Sequence, residues 1–244
     1  MLKSMLDKEV FDHYVKPDSG EIIEVRILNC YGYSKAYQGF AKGSVSGYYE
    51  NYDLFRHDVN LLIAQDEKDQ NLQIYNTLQV IDPCLLAYSF NRLTPGAKAT
   101  SDKDVLYYRW FPIDLDPVRK SGISSSDEEL ERARIKAMEI SEYLSHKGWP
   151  APIRAMSGNG WHLLYPLDDY PAQNSEVQKG IKSSLEKLSA KFSNEHVNLD
   201  TTMYNPARLI KLYGTMARKG THVTSGPYRV GRPHRKSYID SLGD

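Results

Sequence analysis

The sequence predicts an α+β protein built from layers of strands and helices. An apolar, aromatic run over Val105–Pro117 is typical of a long strand, and a well-capped amphipathic helix follows it. Two short strand patterns joined by Ser-Gly-Asn-Gly come next, and a second amphipathic helix covers 174–192. Strands and helices in this order indicate a layered domain around a hydrophobic core.

Composition limits the classes of function. The 244 residues include 31 Lys and Arg against 31 Asp and Glu, so a polyanion would have to bind in a local basic groove. The two cysteines, Cys30 and Cys84, are too far apart for a metal motif, which fits a reducing cytosol. We find no signal-peptide pattern or long apolar run, and we expect a soluble, cytoplasmic protein.

The first hundred residues predict a lobe of their own. The elements that the apolar spacing indicates there are helices at 10–15 and 54–63 and strands at 21–28 and 72–78. A polar loop over 94–104 then marks a boundary. We therefore expect a single domain, 1–244, with approximate lobes 1–100 and 101–244.

Aromatic and basic residues are interleaved over 31–49. The residues concerned are Tyr33, Lys35, Tyr37, Lys42, Tyr48 and Tyr49. Such a mixture could bind single-stranded nucleic acid by charge and stacking. A pair of exposed strands whose tyrosines pack across one another explains the same pattern, and the sequence leaves both interpretations open.

The strand over Val105–Pro117 ends in two acids. In an extended chain Asp114 and Asp116 lie on one face, where their carboxylates repel each other unless a cation lies between them. Mg²⁺ prefers oxygen ligands, so the pair predicts a metal-dependent nucleotide site; ordinary strand-exit chemistry is the alternative. Pro112 cannot donate a ladder hydrogen bond, which predicts an edge position or a local bend.

The helix after residues 121–126 has clear start and stop signals. Ser125 and Glu128 predict a capping box, and Gly148 with Pro150 predicts the end of the helix. Its apolar stripe consists of Leu130, Ala137, Ile140 and Leu144.

A glycine-bearing turn separates the two short strands predicted at Ile153–Met156 and 161–167. Its residues are Ser157, Gly158, Asn159 and Gly160. Asn-Gly is a strong hairpin signal, and a backbone without side chains can approach a phosphate with its N–H groups. His162 follows the turn, where it could donate to a phosphate or serve as a packed structural residue.

More acids and bases follow the helix over 174–192. Asp200 ends a short apolar segment and could complete, with the paired acids, a ligand set for two metal ions. Arg208 and Lys211 bracket a strand-like run and could contact phosphate. The basic residues of the tail are Arg218, Lys219, Arg229, Arg232, His234, Arg235 and Lys236. They suit a template or primer backbone, with a flexible basic tail as the alternative.

Together these motifs resemble the archaeo-eukaryotic primase superfamily, specifically its prokaryotic, phage and plasmid primase–polymerases. The three catalytic motifs of that family correspond, in the same order, to Ile113-Asp114-Leu115-Asp116, Gly160-Trp161-His162 and Leu199-Asp200. Further matches are Asp116-Pro117-Val118-Arg119, Asn205-Pro206-Ala207-Arg208 with Gly214-Thr215, and Arg232-Pro233-His234-Arg235. The resemblance covers roughly residues 21 to 240. Related proteins often carry a proline before Gly-Thr, where this chain has Tyr213.

The resemblance implies a primase-type catalytic core, in which an RRM-like antiparallel sheet carries the acids and a smaller N-terminal α/β lobe packs beside it. It implies that Asp114, Asp116 and Asp200 are the catalytic acids and hold two Mg²⁺ or Mn²⁺ ions. The implied nucleotide-binding residues are Ser157, Gly158, Asn159, Gly160, His162, Arg208 and Lys211. Arg232, His234 and Arg235 would contact nucleic acid.

We therefore predict an enzyme, a template-directed nucleotidyltransferase of the DNA primase or DNA polymerase type, which adds nucleoside triphosphates to a 3′-hydroxyl and releases pyrophosphate. The implied partners are single-stranded or primed DNA, NTPs or dNTPs, and accessory domains or proteins such as a helicase or a CRISPR-type defence system. Two alternatives stay open: a metal-dependent glycosyltransferase with an Asp-x-Asp motif, and a non-catalytic module that binds single-stranded nucleic acid. No residue identifies the preference between NTPs and dNTPs.

Overall fold

The computed structural model describes residues 2–226 and 230–243, so Arg229 of the predicted basic tail lies outside the described residues. The helices and strands up to residue 100 are α1 (Lys8–Tyr14), β1 (Ile23–Ser34), β2 (Gly39–Tyr49), α2 (Tyr52–Asp69), β3 (Gln73–Thr77), β4 (Val80–Ile81) and β5 (Leu93–Pro95). Those that follow are β6 (Val105–Pro117), α3 (Asp127–Ser145), β7 (Ile153–Met156), β8 (Trp161–Pro171), α4 (Ser175–Phe192), β9 (Val197–Leu199), β10 (Leu209–Lys211), β11 (Met216–Ala217), β12 (Arg235–Lys236) and β13 (Tyr238–Ser241).

Several elements confirm the sequence predictions. Strand β6 has the predicted bounds, and β7 and β8 form the predicted hairpin. Helix α4 begins after the N-cap Asn174, whose side chain accepts a hydrogen bond from the Glu176 N–H. The capping box of α3 is one residue later than predicted, with Ser126 and Glu129 as its members. Ser125 is instead buried and donates its N–H to Oδ1 of Asn159 at 2.8 Å.

One sheet has five strands, all antiparallel, in the order β10-β3-β1-β2-β5. Helices α1 and α2 pack on one of its faces through Phe11 and Phe55, whose ring centroids lie 4.9 Å apart. Residues 31–49 contribute β2 and the end of β1, and Tyr37, Tyr48 and Tyr49 are buried. For these three tyrosines the interpretation as packed strands is therefore right.

A second antiparallel sheet carries the paired acids. Its order is β13-β7-β8-β6-β4, and β9 also pairs with β6. The face of β6 with Phe111, Ile113 and Leu115 packs against α3 and α4. The opposite face packs against the first lobe through Trp110, which contacts Tyr14 of α1 at 5.5 Å between ring centroids. From Trp110 onward the even-numbered residues of β6 point toward the first sheet, so the acids at its end open into the cleft between the two sheets.

The two sheets exchange strands across the boundary expected near residue 100. Strand β4 precedes that boundary and pairs with β6, whereas β10 follows it and pairs with β3. The α+β class and the antiparallel sheets agree with the prediction from the sequence. The RRM-like arrangement of the acid-bearing sheet stays a prediction.

Pro112 lies where β6 is locally unpaired on one side. Strand β8 pairs along the other side, while β4 and β9 reach only the region of Tyr107 and the stretch 115–117. The side chain of Gln79 binds the backbone next to this gap, since it accepts from Arg109 N at 2.9 Å and donates to Trp110 O at 2.8 Å. The predicted edge position is therefore right for this residue, although β6 as a whole is an interior strand.

Both cysteines of the chain have free thiols. Cys30 is buried, which raises the pKa of its thiol to about 11, and Cys84 is exposed; neither forms a disulfide. Among residues 2–226 and 230–243, no helix combines the length and hydropathy needed to cross a membrane.

Two glycines let the 157–160 turn pack closely against neighbouring backbone. A Cβ on Gly160 would overlap the carbonyl oxygen of Leu115 and lie 3.0 Å from Oδ1 of Asp116. Gly158 has φ +105° and packs directly on Ala217. The glycines are therefore required by the packing around the acids as well as by the turn.

We expect Gly160→Ala to destabilise the protein by about 1–3 kcal/mol, because the added methyl group would displace the backbone of β6. Gly180→Ala is the matched control, since Gly180 lies within α4 with open space around it and alanine favours helix. Urea unfolding followed by circular dichroism measures both variants. Equal stability of the two variants would contradict the close packing at Gly160.

Candidate active site

The register of the second sheet brings the predicted catalytic residues together. Asp114 is the Cα partner of His162 on β8. On the other side, Leu115 is paired with Leu199, and the Asp200 N–H donates to the Asp114 carbonyl at 2.9 Å. Directly opposed side chains lie on one face of a sheet, so His162, Asp114 and Asp200 are neighbours across it, and Asp116 follows on the same face.

One cleft contains six of the ten predicted catalytic and nucleotide-binding residues. The residues that line it are Gln73, Tyr75, Asp114, Asp116, Arg119, Ser157, Asn159, His162, Met203, Leu209, Ile210, Lys211, Ala217, Arg218 and Lys219. They come from β3, β6, β8, β10 and β11 and from the loops next to the strands, so both sheets contribute. The acids lie on one wall, and Lys211 belongs to the other sheet.

The pKa values of the two acids of the pair shift in opposite directions. Burial alone would raise the pKa of Asp114, but His162 at 3.3 Å and the charges of Lys219 and Arg208 lower it below its usual value. Enclosure in the cleft and the neighbouring Asp114 charge raise the pKa of Asp116, although 40% of its side chain is exposed. Repulsion between like charges is therefore a real feature of the cleft, and a bound cation would relieve it.

His162 is held between Asp114 and a buried tyrosine. Its Nδ1 lies 2.6 Å from the Tyr213 hydroxyl, and its Nε2 faces Oδ1 of Asp114. Burial raises the pKa of Tyr213 well above its usual value, so the hydroxyl keeps its proton and can donate to Nδ1. The Nε2–H of the imidazole then points to Asp114. Tyr213, at the position where related proteins often carry proline, is thus a positioning residue that sequence reasoning missed.

Three N–H groups of the glycine-bearing turn already have hydrogen-bond partners within the protein. Ser157 N donates to the Gly160 carbonyl at 3.0 Å, Gly160 N donates to Ser157 Oγ at 3.1 Å, and Gly158 N contacts the Met156 sulfur at 2.8 Å. The Asn159 side chain joins the turn to Ser125 and to the Lys219 carbonyl. The turn therefore braces the cleft, and the phosphate-binding role of its backbone stays a prediction.

Lys211 is a buried cation on the wall opposite the acids. Its side chain is buried, and Nζ donates to the carbonyls of Ile74 at 3.1 Å and Met216 at 2.8 Å. Burial lowers the pKa of Lys211 to about 7; Asp66 opposes this shift and Arg218 adds to it. A negatively charged ligand in the cleft would stabilise the protonated form.

Asp200 and Arg208 are paired with each other. Asp200 Oδ2 accepts from the Arg208 guanidinium at 2.7 Å, and its Oδ1 accepts from the N–H of Thr202 at 2.8 Å. Arg208 also donates to the Thr202 hydroxyl. The structure therefore places Asp200 beside Asp114 through its backbone, while its carboxylate is engaged with Arg208.

The donor chemistry of the cleft fits a hard divalent cation only in part. Asp114 and Asp116 supply oxygen ligands on one face, and burial together with the charge of Asp114 raises the pKa of Asp116. Within the part of the chain that the structure describes, no three or more His, Cys, Asp or Glu side chains are gathered closely enough to hold a metal ion. Asp200 could join the pair only if its carboxylate left Arg208.

The predicted nucleic-acid-binding residues of the tail bind the start of α3 and a neighbouring loop. Arg232 forms a two-armed ion pair with Glu129, with both N···O distances at 2.7 Å. Arg235 pairs with Asp127 at 2.5 Å, and His234 Nε2 lies 2.7 Å from the Gly220 carbonyl. These contacts fasten the C-terminal segment to the domain, and a nucleic-acid role for the three residues stays a prediction.

Other cleft residues were not singled out as site residues from the sequence. Arg119, three residues after Asp116, lies 3.5 Å from it, and the charge of Lys219 lowers the pKa of Asp114. Gln73 and Tyr75 come from β3, about forty residues before the acids, and no motif marks them. The sequence did contain a signal for Arg119, which belongs to the Asp-Pro-Val-Arg motif, and for Lys219, which belongs to the basic tail.

Lys211 makes a pH-dependent contribution to stability that a substitution can isolate. Because its folded pKa of about 7 lies below the unfolded value of 10.5, the unfolded chain binds more protons between these values, and stability from this site rises with pH. We expect the unfolding free energy of the wild type, minus that of Lys211→Met, to rise by roughly 4 kcal/mol from pH 7 to pH 10. Urea titrations at both pH values measure it, and Lys187→Met, at an exposed position of α4, should not reproduce the change.

Comparison with known proteins finds two similar solved structures. No known family model and no curated protein matches the chain. The crystal structure of primase RepB′ is 10% identical, with a TM-score of 0.44 over 96% of this chain, which spans 56% of that chain. The polymerase domain of Mycobacterium tuberculosis ligase D in complex with DNA is 15% identical, with a TM-score of 0.41 over 94% of this chain and 80% of that one. With TM-scores below 0.5, these two similarities carry no argument about the function of this chain.

Proposed function

We propose that this chain is a template-directed nucleotidyltransferase of the DNA primase or DNA polymerase type, which adds nucleoside triphosphates to a 3′-hydroxyl and releases pyrophosphate. One observation carries the proposal. The close pair of Asp114 and Asp116, with His162 beside it, shares a cleft with the cationic side chains of Lys211, Arg119 and Lys219. A nucleoside triphosphate that binds with a divalent ion needs both kinds of group. Carboxylates bind the ion, and cationic side chains bind the phosphates.

The acids would hold the metal that this chemistry requires. Asp114 and Asp116 are the ligands that the cleft offers, with Asp200 as a third if its pairing with Arg208 opens. Bound Mg²⁺ or Mn²⁺ would supply Lewis acidity toward the attacking hydroxyl and the leaving pyrophosphate. The identity of the ion and the presence of one or two ions are part of the proposal.

The other side chains of the cleft would bind and orient the triphosphate. Lys211 would become fully protonated beside the phosphates, because their negative charge offsets the cost of its burial. His162, held by Tyr213, can donate from Nε2 to a phosphate oxygen that approaches Asp114. Charges arranged in advance of binding stabilise the negative charge that develops during phosphoryl transfer.

We expect Asp114→Asn/Asp116→Asn to reduce extension of a primed DNA template to background while the fold stays intact, because the amides keep the size of the side chains but remove both negative ligands. A gel assay of primer extension with Mn²⁺, with NTPs and dNTPs tested separately, measures activity, and a thermal melt checks the fold. Asp18→Asn/Asp53→Asn, at two exposed acids, is the matched control. Undiminished extension by the folded cleft variant would falsify the assignment.

The same assay separates the two alternatives. A glycosyltransferase would consume a nucleotide-sugar in the presence of Mn²⁺ and leave the primer unextended. A non-catalytic binding module would retain single-stranded DNA without extending it. Either result with the wild-type chain rules out the proposed function.

We further expect Arg208→Met to strengthen binding of Mn²⁺, because loss of the guanidinium frees the Asp200 carboxylate next to Asp114. Isothermal titration with the metal alone measures this without any reaction. Arg154→Met is the matched control, since it frees Asp240 from an ion pair of 3.2 Å on a different edge of the sheet. Unchanged or weaker Mn²⁺ binding by Arg208→Met would show that Asp200 does not complete the ligand set.

A further inference from the structure

The hairpin of β1 and β2 extends beyond the other strands of its sheet. Strand β3 pairs with β1 only over 25–28, and β5 pairs with β2 only over 45–47. Within the described residues, 30–34 and 39–43 pair only with each other. The inner face of this extension is anchored, because Cys30, Ser34 and Ala41 are buried and Ser34 hydrogen-bonds Gln65 of α2.

A bulge decides which residues point outward. The pairing shifts by one residue between Ile27 and Cys30, so both of these residues face the core and Leu28 and Tyr31 share the outer face. The outer face of the extension carries four side chains, which we call the hairpin face: Tyr31, Tyr33, Phe40 and Lys42. Cross-strand pairing places Tyr33 opposite Phe40 and Tyr31 opposite Lys42.

The hairpin face exposes an unusual amount of aromatic surface. Tyr31, Tyr33 and Phe40 are 74%, 67% and 63% exposed, and the rings of Tyr31 and Phe40 contact edge to face at 5.9 Å. Contiguous exposed apolar surface of this kind marks an interaction site. The sequence from Leu28 to Tyr48 contains no Asp or Glu and two lysines, Lys35 and Lys42, so the charge favours an anionic partner.

The hairpin face is continuous with the cleft of the acids. Leu28, on the same outer face, is the Cα partner of Gln73, which lines the cleft together with Tyr75. Leu28 and Tyr75 also line a second groove with Asp102 and Arg208. A strand that leaves the acids past Tyr75 therefore meets the aromatic rings next.

We propose that the hairpin face binds the single-stranded template by stacking its bases on Tyr31, Tyr33 and Phe40, while Lys42 contacts the phosphate backbone. Exposed aromatic rings combined with cations are the general means of binding single strands without sequence preference. A duplex offers no free base faces, so the unpaired strand is the form that this surface fits. The proposal rests on the proposed function in naming the bound strand as a template.

The test compares two matched double variants by fluorescence anisotropy with a labelled oligo-dT of about 16 nucleotides at fixed salt. Tyr33→Ala/Phe40→Ala removes a tyrosine and a phenylalanine from the hairpin face. Tyr88→Ala/Phe90→Ala removes the same residue types at 51% and 62% exposure elsewhere. We expect the first variant to bind at least about tenfold more weakly and the second to bind within about twofold of the wild type.

Binding is measured without triphosphate or metal, so its result is independent of catalysis. Undiminished extension by the folded Asp114→Asn/Asp116→Asn variant, with hairpin-dependent binding intact, would remove the proposed function and leave the single-strand site. Equal affinity of both aromatic variants, or a hairpin variant that changes only the oligomeric state in size-exclusion chromatography, overturns the single-strand site. If the hairpin variant does not fold, photo-crosslinking of bromodeoxyuridine-labelled DNA to the wild type tests the single-strand site instead. Crosslinks that avoid Tyr31, Tyr33 and Phe40 would overturn the proposed site.

Discussion

The pairing of β6 with β8 on one side and with the end of β9 on the other is the constraint on which the candidate active site depends. It places Asp114 between His162 and Asp200 and sets Asp116 beside the Gly160 turn. A slip of one residue in either pairing would move the acids to the face covered by α3 and α4. The apolar side chains of Phe111, Ile113 and Leu115 oppose such a slip, because they would then leave that core.

Some cationic residues hold the fold, others face the cleft, and Arg218 does both. Arg232 and Arg235 bind the acidic first turn of α3, and Arg218 binds the buried Asp66 at 2.8 Å. Loss of Arg218 would leave the buried Asp66 carboxylate uncompensated, so a substitution there would affect folding before binding. Lys211 is different, because backbone carbonyls surround its ammonium group and its pKa is low. Such a group gains most from an incoming anion.

Local patterns predicted the elements whose signals are contained in a few neighbouring residues. The bounds of β6 follow from an apolar, aromatic run that ends in two acids, the β7–β8 turn from Asn-Gly, and the start of α4 from Asn174. The predicted N-cap of α3 was one residue too early, because three consecutive serines offer equivalent caps. Packing decided among them, since Ser125 binds Asn159 and leaves Ser126 to cap the helix.

The sequence by itself determined that two acids share a face, that a glycine turn precedes His162, and that another acid follows a short strand, because alternation and turn chemistry are local. Only the tertiary structure decided that Tyr213 holds His162, that Asp200 is paired with Arg208, and that Lys211 is buried. It also decided that Tyr31, Tyr33 and Phe40 are exposed while Tyr37, Tyr48 and Tyr49 are buried. These outcomes depend on a bulge and on strands exchanged between two sheets, which bring together residues that no local pattern relates.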